Sequence, residues 1–187
     1  MVFHTTFPGS PLTLIKNPKK NIIPENTIQE AADFVASYSR AWKENWGVVD
    51  VFYVNPDQVS KSPPSGEYLP KGSFMISGKK NFIKNAKTEL AVGLNLVEVD
   101  METNDQEEIK YPKIICGPLP AIKKKSNNII TINPSKTGLS KGKLAKKIKS
   151  LLIKNSERGL KKWINLLSID EIILYLPSGS SYIKDNE

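Results

Sequence analysis

Residues 58–82 read QVSKSPPSGEYLPKGSFMISGKKNF. Four cations, Lys61, Lys71, Lys79 and Lys80, stand there against one acid, Glu67. Pro63, Pro64, Pro70, Gly66, Gly72 and Gly78 punctuate the stretch, and Ser60, Ser73, Tyr68 and Phe82 lie between them. Such a segment keeps backbone N–H groups out of regular ladders, fixes turns that aim them, and sets cations beside them. That is one way to build a surface for a polyanion. The other reading is an ordinary solvated loop, because charge runs commonly mark solvated faces.

The segments around this stretch set its frame. Residues 2–16 read as a strand, a Pro8-Gly9-Ser10-Pro11 turn and a second strand. Thr27 and Glu30 have capping-box spacing, and Ile28, Ala31, Val35 and Trp42 follow at helical period, predicting a helix to about Asn45 that Trp46-Gly47 ends. Residues 48–54 are β-branched and aromatic, and residues 89–100 form a long apolar run interrupted by Gly93. Gly93 suits a bulge or a close approach of another backbone. Further strands are expected at residues 111–116 and 128–132. A basic amphipathic helix follows Ser140, another covers 158–167, and Ser168 with Glu171 caps a last short one. Phe82 begins a strand, where alternation with polar neighbours favours a core position over a base-stacking one.

These elements give an α+β class: a mixed, mainly antiparallel sheet with a packed helix, followed by a smaller basic α/β carboxyl-terminal subdomain. The expected division is a core at 1–100, an acidic linker at 101–109 and the basic subdomain at 110–187. Strands 48–54, 73–76 and 89–100 are expected to share one sheet, with the Thr27 helix packed on it through Ile28, Ala31, Val35 and Trp42.

The 187 residues carry a net charge of +8, and 39% are hydrophobic, enough for a core. The charge is regional. Residues 122–164 hold thirteen Lys or Arg against Glu157 alone, whereas residues 91–110 hold six acids and one base. A regional basic excess points to an acidic partner more strongly than a global one. Lys-rich surfaces also serve stability at high temperature. No apolar run is long enough to span a membrane. The single Cys116 favours a reducing, cytoplasmic location and a structural thiol.

No phosphate loop, dinucleotide fingerprint or Cys/His cluster is present, so no cofactor or metal is expected. Catalysis by a Ser-His-Asp set would require His4, the only histidine. A cleft holding His4 beside Asp50 or Glu67 would revive an enzyme reading; otherwise the expectation is a non-enzyme.

Read in order, Ala41-Trp42, Gln58-Val59-Ser60-Lys61, Pro64-Ser65-Gly66-Glu67-Tyr68-Leu69, Gly72-Ser73-Phe74-Met75-Ile76 and Gly78-Lys79-Lys80-Asn81-Phe82 resemble the NFACT-R domain. That domain is the RNA-binding module of the NFACT family of ribosome-associated quality-control factors. The resemblance covers residues 2–100. More loosely, the later segments resemble archaeal members. The resemblance places the family's N-terminal strands upstream of a His-rich turn that His4 and Gly9 match, so they are expected to lie outside these residues, and Pro8 stands where many members have a second histidine. An unpaired edge or an exposed apolar face near residues 2–7, and with it a homodimer or strand exchange, is therefore expected.

The resemblance implies a non-catalytic RNA-binding module contacting tRNA, large-subunit ribosomal RNA and the ribosome, in translation quality control. Lys61, Lys79 and Lys80 would meet phosphates, with Lys71 beside them. Gln58, Ser60, Ser73 and Asn81 would supply hydrogen bonds, and Tyr68 or Phe82 would stack on an unpaired base. The amino-terminal domain associated with adding untemplated residues to stalled chains is not among the residues that carry the resemblance, so that activity is not carried over. The alternative is a scaffold module of a translation-associated complex, in which the long motif is a folded loop.

Overall fold

The computed structural model describes residues 1–62, 66, 68–98 and 110–184. Strand β3 (Val48–Val54) organises the first half. It pairs antiparallel with β1 (Val2–Thr5) on one side and β6 (Asn81–Lys87) on the other. The two-residue β2 (Thr13–Leu14) closes the far edge. Side chains alternate along each strand, so Phe3, Val49 and Val51 meet helix α1 (Glu25–Ser37), where Ala32, Val35 and Ala36 are buried. The opposite face carries Val2, Phe52 and Val54. At one end it is covered by Leu12 and by a small ribbon of β4 (Val59–Ser60) and β5 (Met75–Ile76).

The expected single sheet is not formed. The three strands assigned to it lie in three sheets. β3 pairs with β6, β5 pairs only with β4, and β7 (Leu90–Glu98) belongs to a second sheet of order β10-β9-β7-β8. There β8 is Lys110–Gly117, β9 is Ile129–Leu139 and β10 is Ser181–Ile183. The Thr88 hydroxyl bonds to the Trp46 carbonyl where the chain leaves β6, and the next residues start the new sheet. Among the described residues every strand pairing is antiparallel, and with six helices the architecture is α+β. The second sheet draws strands from both sides of the acidic stretch at 101–109, which itself lies outside the described residues.

Helix α1 begins two residues before Thr27. Pro24, fixed in extended geometry, is the N-cap, and its carbonyl accepts from Thr27 and Ile28 N–H. Glu30 therefore makes no reciprocal cap and pairs with Lys124 at 3.3 Å. The helix also stops early. Ser39 adopts an extended conformation, donates its hydroxyl to Ala36 O at 2.7 Å and accepts from Ala41 N at 3.1 Å. One side chain thus ends α1 and caps α2 (Arg40–Glu44). The bend delivers Trp42 into the second core rather than onto the first sheet, with Leu90, Val92, Ile132, Leu144 and Ile148.

Helices α4 (Lys141–Lys154), α5 (Arg158–Leu166) and α6 (Ile169–Tyr175) build that core with Leu144, Ile148, Leu152, Ile164 and Ile172. The Ser168 hydroxyl accepts from Glu171 N at 3.0 Å, the cap its spacing predicted. Gly93 marks a close approach, by side chains rather than backbone, and not a bulge. The β7–β8 register runs without a shift, and a Cβ at position 93 would lie 2.9 Å from Ser126 Cβ, just beyond α3 (Leu119–Lys123). The expected free edge is covered at Val2 and Phe3, which pair with Leu14 and Thr13 of β2. Among the described residues no helix is long and apolar enough to cross a membrane.

Candidate nucleic-acid interface

On the first sheet's outer face the register aligns His4 with Phe52 and Phe52 with Phe82. Their rings form a row, with centroids 6.0 and 6.2 Å apart. Lys80 folds back so that its Nζ stands 4.5 Å from the Phe52 centroid. The ring is buried, so the ammonium gains a cation–π contact while keeping its own exposure. The His4 Nδ1 lies 2.7 Å from Thr5 O; a carbonyl only accepts, so Nδ1 donates and Nε2 is left for an outside partner.

His4 and Phe52 of the row form one wall of a groove of about 680 Å³. The 6–11 turn supplies a second wall, and Gly72, Ser73, Phe74 and Ile76 a third. Lys61 Nζ stands 5.9 Å from the Phe74 centroid, so two lysines from separate segments are held over aromatic rings beside the same groove. The turn is tethered from behind by Arg40 N–H, which donates to Gly9 O at 2.7 Å. On the far side of Lys80 a second groove, about 600 Å³, is lined by Lys79, Asn81, Phe82 and Lys84, with Glu25 its only carboxylate. Lys80 borders both.

Phe82 is 61% exposed, which overturns the expected core position. Alternation assigned it correctly to one face of β6, but that face is the open one. Gln58 is turned inward to the protein itself. Its Nε2 donates to Ser77 O at 2.7 Å and Lys79 O at 3.0 Å, and its Oε1 accepts from Asn55 N at 3.0 Å. It clamps the 77–80 turn. Gly78 sits in the crook at φ +73°, where a Cβ would lie 2.9 Å from Gln58 Nε2. Ser60 is engaged with the backbone of Ser62. Asn81 reaches Tyr53 O at a long 3.5 Å. Tyr68, 86% exposed, and Lys71 line neither groove.

The structure therefore brings together Ser73, Lys80 and, through Phe74, Lys61, and separately Lys79, Lys80, Asn81 and Phe82. Sequence reasoning missed Phe52, Phe74 and the place of His4. Their alignment depends on a register between strands dozens of residues apart, for which the chain carries no local signal.

His4 and Asp50 do not share a cleft. His4 lines the first groove; Asp50 lies in a shallow hollow by Trp46 and accepts from Asn85 N at 3.0 Å. Glu67 lies outside the described residues. Cys116 packs against Tyr38, whose hydroxyl donates to Tyr175 O at 2.6 Å. Burial pushes the Cys116 thiol up to about 11, so it is held protonated at neutral pH and is a poor nucleophile.

Comparison with known proteins places this geometry. An archaeal Rqc2 homolog, aRqcH, from Methanocaldococcus jannaschii is 36% identical over 151 residues, which are 81% of this chain and 20% of that protein. The ribosome quality control complex subunit NEMF homolog of Drosophila melanogaster is 44% identical over 94 residues, 50% of this chain and 9% of that protein. The human ribosome quality control complex subunit NEMF is 44% identical over 80 residues, 43% of this chain and 7% of that protein. The chain thus spans a fifth or less of the length of these relatives. Residues 1–78, which contain β1, β3, α1, α2 and the first groove's walls up to Ile76, match the family model for the NFACT protein RNA binding domain.

Proposed function

We propose that this chain is a non-catalytic RNA-binding module of ribosome-associated protein quality control, acting in the cytoplasm on tRNA or large-subunit ribosomal RNA. The observation that carries the reading is the His4–Phe52–Phe82 row with Lys80 over its centre, set between two grooves inside and beside the family-matched region. An aromatic platform flanked by cations is the arrangement that takes unpaired bases without catalysis. The exposed Phe82 ring stacks the base, Phe52, buried beneath Lys80, seats that lysine, and the ammonium groups meet the flanking phosphates.

Each of the two lysines stands over an aromatic ring, a contact that at an exposed site favours one orientation by about 0.5–1 kcal/mol. The Gln58 clamp fixes the turn that positions Lys79 and Lys80. Exposed lysines of α4, such as Lys143, Lys146 and Lys147, extend the positive surface. Lys149 does not join them, because its Nζ donates to Asn165 O at 2.8 Å and Leu167 O at 2.5 Å at the end of α5. Crosslinking in cells, followed by sequencing of the attached RNA, tests the proposal. Enrichment of tRNA or large-subunit sequences is the expected result. Recovery at the level of a non-crosslinked control would favour the scaffold reading.

A further inference from the structure

The outer face of the first sheet continues into a shallower hollow. Along β3 the side chains of Val48, Asp50 and Phe52 alternate onto that face, so Asp50 stands one pleat beyond Phe52. The hollow holds about 280 Å³, and its lining includes Phe7, Trp46, Val48 and Asp50. It shares Thr6 and Phe7 with the first groove. Pockets that take a whole ligand run from about 300 to 1,000 Å³, so this one has the size for a single side chain.

Two of its walls are aromatic. Phe7 and Trp46 meet edge to face, with ring centroids 5.1 Å apart and planes at 76°. Trp46 remains 46% exposed. Both residues are held by their backbones. Phe7 O accepts from the Thr5 hydroxyl at 2.7 Å, Trp46 N–H donates to Ala41 O at 3.0 Å, and Trp46 O accepts from the Thr88 hydroxyl. Asp50 supplies the polar wall. Its Oδ1 accepts from Asn85 N–H at 3.0 Å, in the bulge that β6 makes opposite it. Its Oδ2 has no partner among the described residues. No lysine or arginine lines the hollow.

We infer that this corner takes the cationic end of a lysine or arginine side chain from a protein partner. Aromatic rings attract a cation, and the free carboxylate oxygen beside them adds a charge-assisted acceptor. A nucleotide fits less well. Two rings near a right angle offer no single stacking plane, and the carboxylate repels a phosphate. On a chain of net charge +8, a hollow whose one charged lining group is a carboxylate is complementary to a basic partner. The inference is independent of the RNA-binding reading. Through Thr6 and Phe7 it sets a basic protein segment next to the first groove.

The Trp46 indole and Asn85 backbone N–H resonances report on the hollow. The probes are N-acetyl-lysine methylamide, N-acetyl-arginine methylamide, the neutral N-acetyl-norleucine methylamide and cytidine 5′-monophosphate, at constant ionic strength. The expected result is a saturable shift of both resonances with the cationic amides and none with the neutral one. Asp50→Asn keeps an acceptor for Asn85 N–H and removes only the charge. It should weaken binding of the cationic amides about two- to fivefold, the worth of one exposed ion pair, with resonances elsewhere unchanged. Trp46→Leu, read through Asn85, should weaken it as well. Equal shifts with the neutral amide, shifts with cytidine 5′-monophosphate alone, no shift with any probe, or an undiminished response in Asp50→Asn would each overturn the inference. The Lys79→Glu, Lys80→Glu protein should give the parent's shifts with the cationic amides, so failure of the RNA-binding reading shows separately.

Discussion

The indole Nε1 of Trp42 donates to Ser181 Oγ at 3.0 Å, joining residues 139 apart in the chain. Trp42 lies within the family-matched residues, yet its ring is buried in the core built by α4, α6 and the second sheet. Tyr38, bonded to Tyr175 O, makes a second tie of the same kind. The first half and the carboxyl-terminal half are thus packed into one another at the bend between α1 and α2.

Trp42→Ala should destabilise the whole chain by about 3–5 kcal/mol, as buried aromatic truncations do. Ser181→Ala should cost about 1 kcal/mol, the net worth of one hydrogen bond. Urea unfolding followed by circular dichroism measures both. A Trp42→Ala protein of unchanged midpoint would show that the two halves are not joined through this ring.

Phe82→Ala should leave stability within about 0.5 kcal/mol, because most of the ring is exposed. RNA affinity should fall by about 1–3 kcal/mol if the ring stacks on a base. Fluorescence anisotropy with single-stranded RNA, beside a thermal melt, separates the two effects. A large loss of stability with unchanged affinity would return Phe82 to a packing role.

Gln58→Leu removes no charge but releases the Ser77 and Lys79 carbonyls. The turn should loosen and RNA affinity should drop, with the salt dependence of binding unchanged because every lysine remains. Gly78→Ala should act in the same direction, since a Cβ would collide with Gln58 and φ +73° strains any other residue. A changed salt slope in Gln58→Leu would mean that the clamp does more than hold the turn.

Cys116 should resist alkylation in the folded protein at neutral pH. Its thiol is pushed up to about 11, so the thiolate fraction is small there and grows as pH rises toward that value. The raised value also means that its contribution to stability is present below the ordinary thiol range and is lost as pH rises through about 11. Mass spectrometry after iodoacetamide treatment, native against unfolded, checks this. Rapid native labelling at neutral pH would contradict the packing against Tyr38.

Much of the fold was legible locally. The β-branched run of β3, the helical period of α1 and α4 and the Ser168 cap are short-range signals, and each formed its element. The break at Ser39 was not, because residues 28–42 keep a helical apolar period straight through it and only the two-way hydroxyl bond of Ser39 stops the helix. The lysines of the 58–82 stretch could be named from composition. Whether each faces a groove could not, since Gln58 and Asn81 are the same kind of residue in sequence but one is consumed by the backbone and the other lines a cavity. Phe52 was hidden for a related reason. Its role comes from lying between His4 and Phe82, which only the pairing of β1, β3 and β6 decides.

The central claim is that the Lys79–Lys80 turn on the first sheet meets RNA phosphates, and a salt titration of the Lys79→Glu, Lys80→Glu protein tests it most directly. Affinity for single-stranded RNA should fall, and the slope of log K against log salt should flatten by about 1.4, at roughly 0.7 per lost phosphate contact. Folding stability should stay within about 0.5 kcal/mol of the parent, as for other surface changes. An unchanged affinity and slope across the titration would contradict the account and leave the long motif as a folded loop of a scaffold.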